Sequence, residues 1–524
     1  MTKFKYFGYT TPIVLSAFLL FNSCANNTSD STKSSAAAND TVKVEGVVMP
    51  DATDTLPFSI EFAQQKYTTP IPLPRLQAYV SFMLDDDFAM VIGGRRQGLH
   101  MFWPKPINNF IPDSANNYIW VIQLSTGRSQ SFNVDSLPPD LAASLQSTNQ
   151  EIYYDRPTDQ VYIVGGYGWN AGKTNMLTFN TIIRFKAKAL AAAISNGQPA
   201  KSIASLMKMS QDDRFAVTGG ELFMLNSKFY LVFGQKFMGQ YRAFGGTDFK
   251  QTYTEEVRTF TLDTSSLTIL GYGHTSSSDS DHPFHRRDGN TIEDIDPATG
   301  KERITALGGV FQPGIIAPYT YPIYITSPAA PRIDRSANQK FSQYECPVIS
   351  IYDSSASNRT VHHTFFGGIG HYYYFQTDSQ HAAYLAVTKQ GRNDGFPFVA
   401  DVTTFSASAD GSYNEYIHTK PTTDSNRLVG STAKFWLLPS FIAKGVAYSN
   451  GVLKLPMLTN NKRTLIGYIY GGIEAQNPLP LIPNSGTFVS NSVFAVYATK
   501  KPTPVIPSGK GHESVKADAN LNRK

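Results

Sequence analysis

TLIGYIYGGI at 464–473 is a run of β-forming residues that stops on a glycine pair, Gly471 and Gly472. Branched and aromatic side chains suit an extended, pleated backbone. Paired glycines allow a sharp turn and a close approach where a Cβ would collide. After a loop, SVFAVYA at 492–498 supplies a second strand. The same phrase recurs as FAMVIGG at 88–94, VYIVGG at 161–166, ITALGG at 304–309 and HTFFGG at 363–368. FYLVFGQ at 229–235 reads as a sixth, degraded copy in which Gln235 stands for the second glycine. A repeated unit of this length predicts a repeat architecture.

The flanks of each copy fill in the unit. Around the first, LQAYVSFML at 76–84, the turn Asp85-Asp86-Asp87, FAMVIGG, YIWVIQL at 118–124 and SQSFNV at 129–134 make four antiparallel strands. The second repeats the plan with EIYYD, QVYIVGG and TIIRFKA. There AKALAAAISN at 187–196 reads as a short helix, so the fourth strand has no clear place. The third, fourth and fifth units follow the pattern. The sixth, from KFWLLPSFIA through GVLKLPM and TLIGYIYGGI to SVFAVYA, ends one strand short. An open sheet edge is a liability, and LPFSIEF at 56–62 is the strand available to complete it. The expectation is an all-β fold of six four-stranded blades, a six-bladed β-propeller over 56–500 closed by an N-terminal strand.

Composition agrees. In 524 residues, aromatics are 13%, charged residues 17%, and there are 39 Gly and 31 Pro. That balance fits a strand- and turn-rich chain. A net charge of +5 is small for this length and gives no case for a nucleic-acid binder, which would want a concentrated basic face.

Strand, Gly-Gly, loop, strand, turn, strand resembles the kelch repeat. The anchors stand roughly 60 to 105 residues apart, longer than the roughly 50 of kelch, and the extra length lies in loops. The aromatic pair that usually follows the glycines in kelch is erratic here. HRRDGN, ALGGVFQPG, FFGGIGHYYY, GFPFV and GYIYGGI also resemble an uncharacterised kelch-like family of exported bacterial proteins. That resemblance implies a fold and no chemistry.

The N-terminus reads as an export signal. Lys3 and Lys5 precede an apolar stretch at 12–21 that is too short to span a bilayer. Phe21-Asn22-Ser23-Cys24 resembles the relaxed lipoboxes of Bacteroidetes lipoproteins. The resemblance implies a signal peptide at 1–23 and a lipidated Cys24; ordinary signal cleavage nearby is the alternative. A tether at 24–55 and a disordered tail at 501–524 flank the repeats. Ala25 lacks the Asp that retains some lipoproteins in the inner membrane, so an outer-membrane lipoprotein, facing periplasm or cell surface, is expected. Lipidation would leave Cys346 alone, with no disulfide possible in the chain. In the apolar run YECPVISIY it reads as a buried, unreactive thiol.

The most chemical-looking segment is DHPFHRRDGN at 281–290. His282, His285, Arg286, Arg287 and Asp288 open the fourth unit, where first strands line a channel. Arginines there suit a carboxylate or phosphate. Equally, Arg286, Arg287 and Asp288 could tie loop carbonyls and neighbouring blades together. Arg95, Arg96, Trp169, Gln312 and His371 follow glycine anchors and are candidates for a shared ligand-binding rim. His362 and His363 point to opposite faces of a strand and cannot chelate as a pair. Asp294 and Asp296 share a face, but the following turn offers no further acid at calcium-site spacing. Copper-radical, sialidase, G-x-S-x-G and H-E-x-x-H templates are not met. The expectation is a binding or scaffolding module for an envelope protein or glycan, with no cofactor, no metal and no nucleic-acid partner. The alternative is a carbohydrate-active isomerase or lyase with its site at the channel mouth.

Overall fold

The strand Phe88–Ile92 is buried on both sides. Met90 and Ile92 pack into one apolar cluster, Ala89 and Val91 into another. With period-2 geometry, an unbroken apolar run marks a strand covered on both faces. The computed structural model describes residues 50–502, except 69–71, 101–108, 243–244, 328–329, 356, 378–380, 387–395, 419–426 and 479–485. The expectations for the signal peptide, for Cys24, for the tether up to residue 49 and for the tail beyond Pro502 lie outside these residues.

The described chain is all-β, built of several antiparallel sheets. The first sheet runs Val80–Met83, Phe88–Ile92, Tyr118–Gln123, Arg128–Asn133. The second is Glu151–Asp155, Gln160–Val164, Thr181–Lys186, Met207–Gln211, and the third Glu221–Leu225, Lys228–Val232, Glu256–Leu262, Ile269–Ser276. Asn290–Ile295, Glu302–Leu307, Ile323–Ile325 and the short Arg332–Ile333 form the fourth. Val348–Asp353, Thr360–Phe366, Val402–Ser408 and Tyr413–Ile417 form the fifth. The sixth is Lys434–Leu437, Thr464–Tyr470, Val493–Lys500 and, from the other end of the chain, Phe58–Gln64. Phe58 lies opposite Lys500 and Gln64 opposite Phe494, so LPFSIEF supplies the missing strand.

Four readings need correction. The helix expected at 187–196 is present as Ala187–Ser195, but a second helix, Ala200–Ser205, delays the fourth strand to Met207–Gln211. MKMSQ is too polar to stand out. Leu453–Lys454, in GVLKLPM, pairs in parallel with Val348–Asp353 of the fifth sheet, not with the sixth. The packed chain begins before Leu56: Asp51 caps the turn Ala52–Thr55, Ala52 is buried, and Asp51 bridges to Ile417. In the third repeat, Phe233 replaces the first glycine and Gly234 is the second, with φ of 56° and 87°.

Six apolar clusters lie between neighbouring sheets: first and second, second and third, and onward through fifth and sixth. The last joins sixth to first, through Trp436 and Tyr470 against Tyr79, Met83 and Val91. Backbone bonds follow the same order. The second glycine donates to the next repeat from Gly94 to Ser147, Gly166 to Val217, Gly234 to Arg286 and Gly368 to Val429, and Gly472 donates to Leu76 of the first repeat at 2.9 Å. Tyr79 Oη donates to Tyr470 O, and Trp436 Nε1 to Ser81 Oγ at 2.8 Å.

A Cβ on Gly367 would stand 1.9 Å from Val429 O, at a φ of +60°. Gly411 has φ +85° and open space. Gly367→Ala is therefore expected to cost well over the ~1 kcal/mol of Gly411→Ala, read by urea denaturation. Phe58 is fully buried, with its ring edge-on to His362 at 5.2 Å. Phe58→Ala should destabilise by about 3–5 kcal/mol, in the same assay.

Candidate functional site

One residue per repeat, just before its first strand, takes the left-handed conformation: Ala78, Asn149, Gly219, Asp288, Glu345 and Thr432, with φ between 47° and 68°. Their backbones are linked in order. Asn149 N–H donates to Ala78 O at 2.9 Å, Gly219 to Asn149 at 3.3 Å, Asp288 to Gly219 at 2.9 Å, Glu345 to Asp288 at 3.1 Å, and Thr432 to Glu345 at 2.5 Å. These residues surround two central cavities, of ≈ 90 and ≈ 200 Å³. All six repeats contribute to the walls.

The smaller of the two carries the chemistry. Arg287 Nη1 lies 3.0 Å from Asp288 Oδ2, both side chains being nearly buried. Burial pushes the carboxyls of Asp288 and Glu345 up; the Asp288 charge raises Glu345 further, while Arg287 and a hydrogen bond with Glu345 oppose the rise at Asp288. The Arg287 guanidinium beside Asp288 favours its ionised form. Tyr167, Tyr241, Phe110, Phe311 and Phe396 give the cavity aromatic walls.

Arg95 stands between this cavity and a side cavity of ≈ 170 Å³ lined also by Trp169, Lys173 and Asp135. Its backbone is clamped by Gln77 on both sides, N–H to Gln77 O at 3.0 Å and O to Gln77 N–H at 3.1 Å. Its guanidinium lies 3.9 Å over the Phe110 ring. Burial pulls its pKa down to about 10.

The HRRD segment divides. Arg287 and Asp288 line the central cavity, but Arg286 does not. Arg286 donates to Pro283 O, Gly308 O and Tyr321 O at 2.8, 2.9 and 3.0 Å, and stacks over Tyr319 and Tyr321. It ties the loop to the fourth sheet and is not placed to hold a ligand. His282 and His285 also lie outside the cavity walls. Both face the Glu255 carboxylate, and His285 stacks on Tyr253 at 3.6 Å. Arg96 is exposed and donates to Asp113 O. His371 is half-buried against Tyr372, and burial pulls its pKa down. The expected rim is thus not a single group: Arg95 and Trp169 share the side cavity, whereas Gln312 donates locally to Pro318 O.

Asp294, weighed for calcium, instead accepts from Arg303 and Thr305 at 2.6 Å and faces His363 of the fifth sheet at 3.4 Å. Cys346 is buried, and burial pushes its thiol up to about 12. Glu345, Tyr167 and Tyr241 were missed by the sequence reading. Aligning the repeats on the residue two or three places before each first strand would have found Glu345.

No known protein family matches the chain, and no curated protein does. A solved structure titled "Structure of YjhT" is similar at a TM-score of 0.41 and 11% identity, over 82% of this chain and 99% of that one. A likeness so slight assigns neither fold nor activity.

Two predictions follow from these placements. Arg286→Ala leaves buried carbonyls unpaired, each costing about 1–3 kcal/mol, and should lower the melting temperature without changing ligand binding. Glu293, in the wall of a further cavity of ≈ 420 Å³ that Glu221 also lines, is pushed up to about 8 by burial and by the Glu302 charge. The folded chain then holds a proton that the unfolded chain releases above about pH 4.5. Stability should fall as pH rises from 5 through 8, and Glu293→Gln should remove about 1–2 kcal/mol of that fall after solvent screening, measured by denaturation across pH.

Proposed function

We propose that the six sheets are the blades of a kelch-like β-propeller, and that the molecule is a lipid-anchored envelope module binding a glycan at its axis. The carrying observation is the central cavity. Every repeat contributes to it, aromatic faces wall it, and an acid–arginine group lies within it. Concave, partly apolar sites with a few fixed polar groups are where small ligands bind. Aromatic rings suit the C–H faces of sugars, and the carboxyls suit their hydroxyls. Cys24 carries the lipid and places the propeller at the outer membrane.

The enzymatic reading draws on one observation, the two carboxyls of Asp288 and Glu345 set in the walls of the same central cavities. Two carboxyls with different protonation are the raw material of general acid–base chemistry. The histidines and Arg286 originally grouped with Asp288 give it no support.

The test uses the full tagged chain in detergent, on a glycan array and in a pull-down from solubilised envelope. A glycan hit lost in Tyr241→Ala supports the reading. Stoichiometric capture of one protein with a blank array would replace it with an assembly subunit. Turnover of the bound sugar, abolished by Glu345→Gln, would move it to the enzyme class. Cys24→Ser should abolish incorporation of labelled palmitate; unchanged labelling would remove the anchor.

A further inference from the structure

Buried arginines in this molecule are tied down. Arg286 has three carbonyls, Arg258 has Arg214 O and Phe233 O, and Arg303 has Asp294. Arg95 differs. It is 7% exposed, and its Nε and Nη1 have no hydrogen-bond partner among the described residues. Phe110 covers one face of the guanidinium but accepts none of its N–H groups. An ionised side chain buried without a counter-charge is costly. The Gln77 clamp prevents the backbone from carrying it out to solvent.

The other charges around the axis are matched. Arg287 faces Asp288 at 3.0 Å and Lys434 faces Glu221 at 3.8 Å, while burial and the Asp288 charge oppose ionisation of Glu345. Burial pushes the Tyr167 phenol up and keeps it uncharged. Glu345 is the acid whose charge most favours the Arg95 guanidinium, yet no carboxylate is hydrogen-bonded to its Nε or Nη1. From this we infer that the central cavity takes a small organic monoanion, a carboxylate bound at Arg95, with its body against Phe110, Tyr167 and Tyr241. A dianionic phosphate fits less well, because its second charge would meet the Asp288–Glu345 acids. The cavity of ≈ 90 Å³ and the side cavity of ≈ 170 Å³ share Arg95, Phe110 and Tyr167 as walls, so a ligand of one ring would lie against them. This rests on reading the cavity as a ligand site, and it deepens the glycan proposal to an acidic sugar or similar ring acid.

Thermal unfolding and calorimetric titration of the full chain in detergent test it. The probes are glucuronate and benzoate, with glucose, benzyl alcohol and inorganic phosphate as controls. Carboxylates should raise the melting temperature and bind about 10- to 100-fold more tightly than their neutral counterparts. Arg95→Gln should erase that difference. It should also leave the melting temperature of the free protein unchanged or higher, since it removes a buried charge with no carboxylate bonded to its Nε or Nη1. A structural arginine would instead lower it, as expected for Arg286→Ala. Equal binding of glucuronate and glucose, unaffected by Arg95→Gln, overturns the carboxylate inference but keeps the cavity as a sugar site. Tighter binding of phosphate overturns it as well. Silence from all five probes overturns both the inference and the small-ligand reading of the cavity.

Discussion

Each of the six main sheets has two apolar faces, and each face needs cover. Met90 and Ile92 look one way along the chain, Ala89 and Val91 the other. A row of such sheets always leaves two faces bare, one at each end. The cluster joining Trp436 and Tyr470 to Tyr79 and Val91 covers them both by setting the sixth sheet against the first. The glycine pairs serve the same requirement. Their second N–H reaches the neighbouring repeat, and the Gly472 bond to Leu76 O lies on the joint between last and first. Burial of both faces supplies the driving force, and the glycines let the backbones come close enough for it to act.

The same close approach at the centre decides the chemistry. Six left-handed residues in hydrogen-bonded succession crowd six first strands together, and whatever side chain stands at those positions is forced inward. Ala78 and Gly219 leave space there. Asp288 and Glu345 fill it with carboxyls in the walls of the same cavities. Desolvation governs these groups, so their character comes from the repeat geometry more than from any local motif.

The strands were largely legible because buried strands announce themselves. FAMVIGG, VYIVGG, ITALGG and TLIGYIYGGI each end where the structure turns, and the shortfall in the sixth unit pointed to residues 56–62. Outer strands were harder. Met207–Gln211 and Arg332–Ile333 are edge elements with little apolar content to mark them. The site was legible only in part. HRRD stood out as a dense charge cluster, yet neighbours along a chain diverge: Arg286 turns into its own loop while Arg287 and Asp288 turn to the axis. Glu345 sits in YECPV with nothing local to distinguish it. Its role follows from a position shared with Asp288 some distance along the chain. Arg95 was visible as a rim candidate, but the lack of a partner at its Nε and Nη1 is a property of three-dimensional surroundings alone.

The ladder between Phe58–Gln64 and Val493–Lys500 unites the earliest and latest strands of the fold. During synthesis the first of these emerges more than 400 residues before its partner, and it waits as an unmatched edge until translation is nearly done. Contacts so distant in sequence slow folding and prolong exposure of sticky surface. A molecule that cannot finish its last sheet until its last strand has been made stays open until the end of its synthesis.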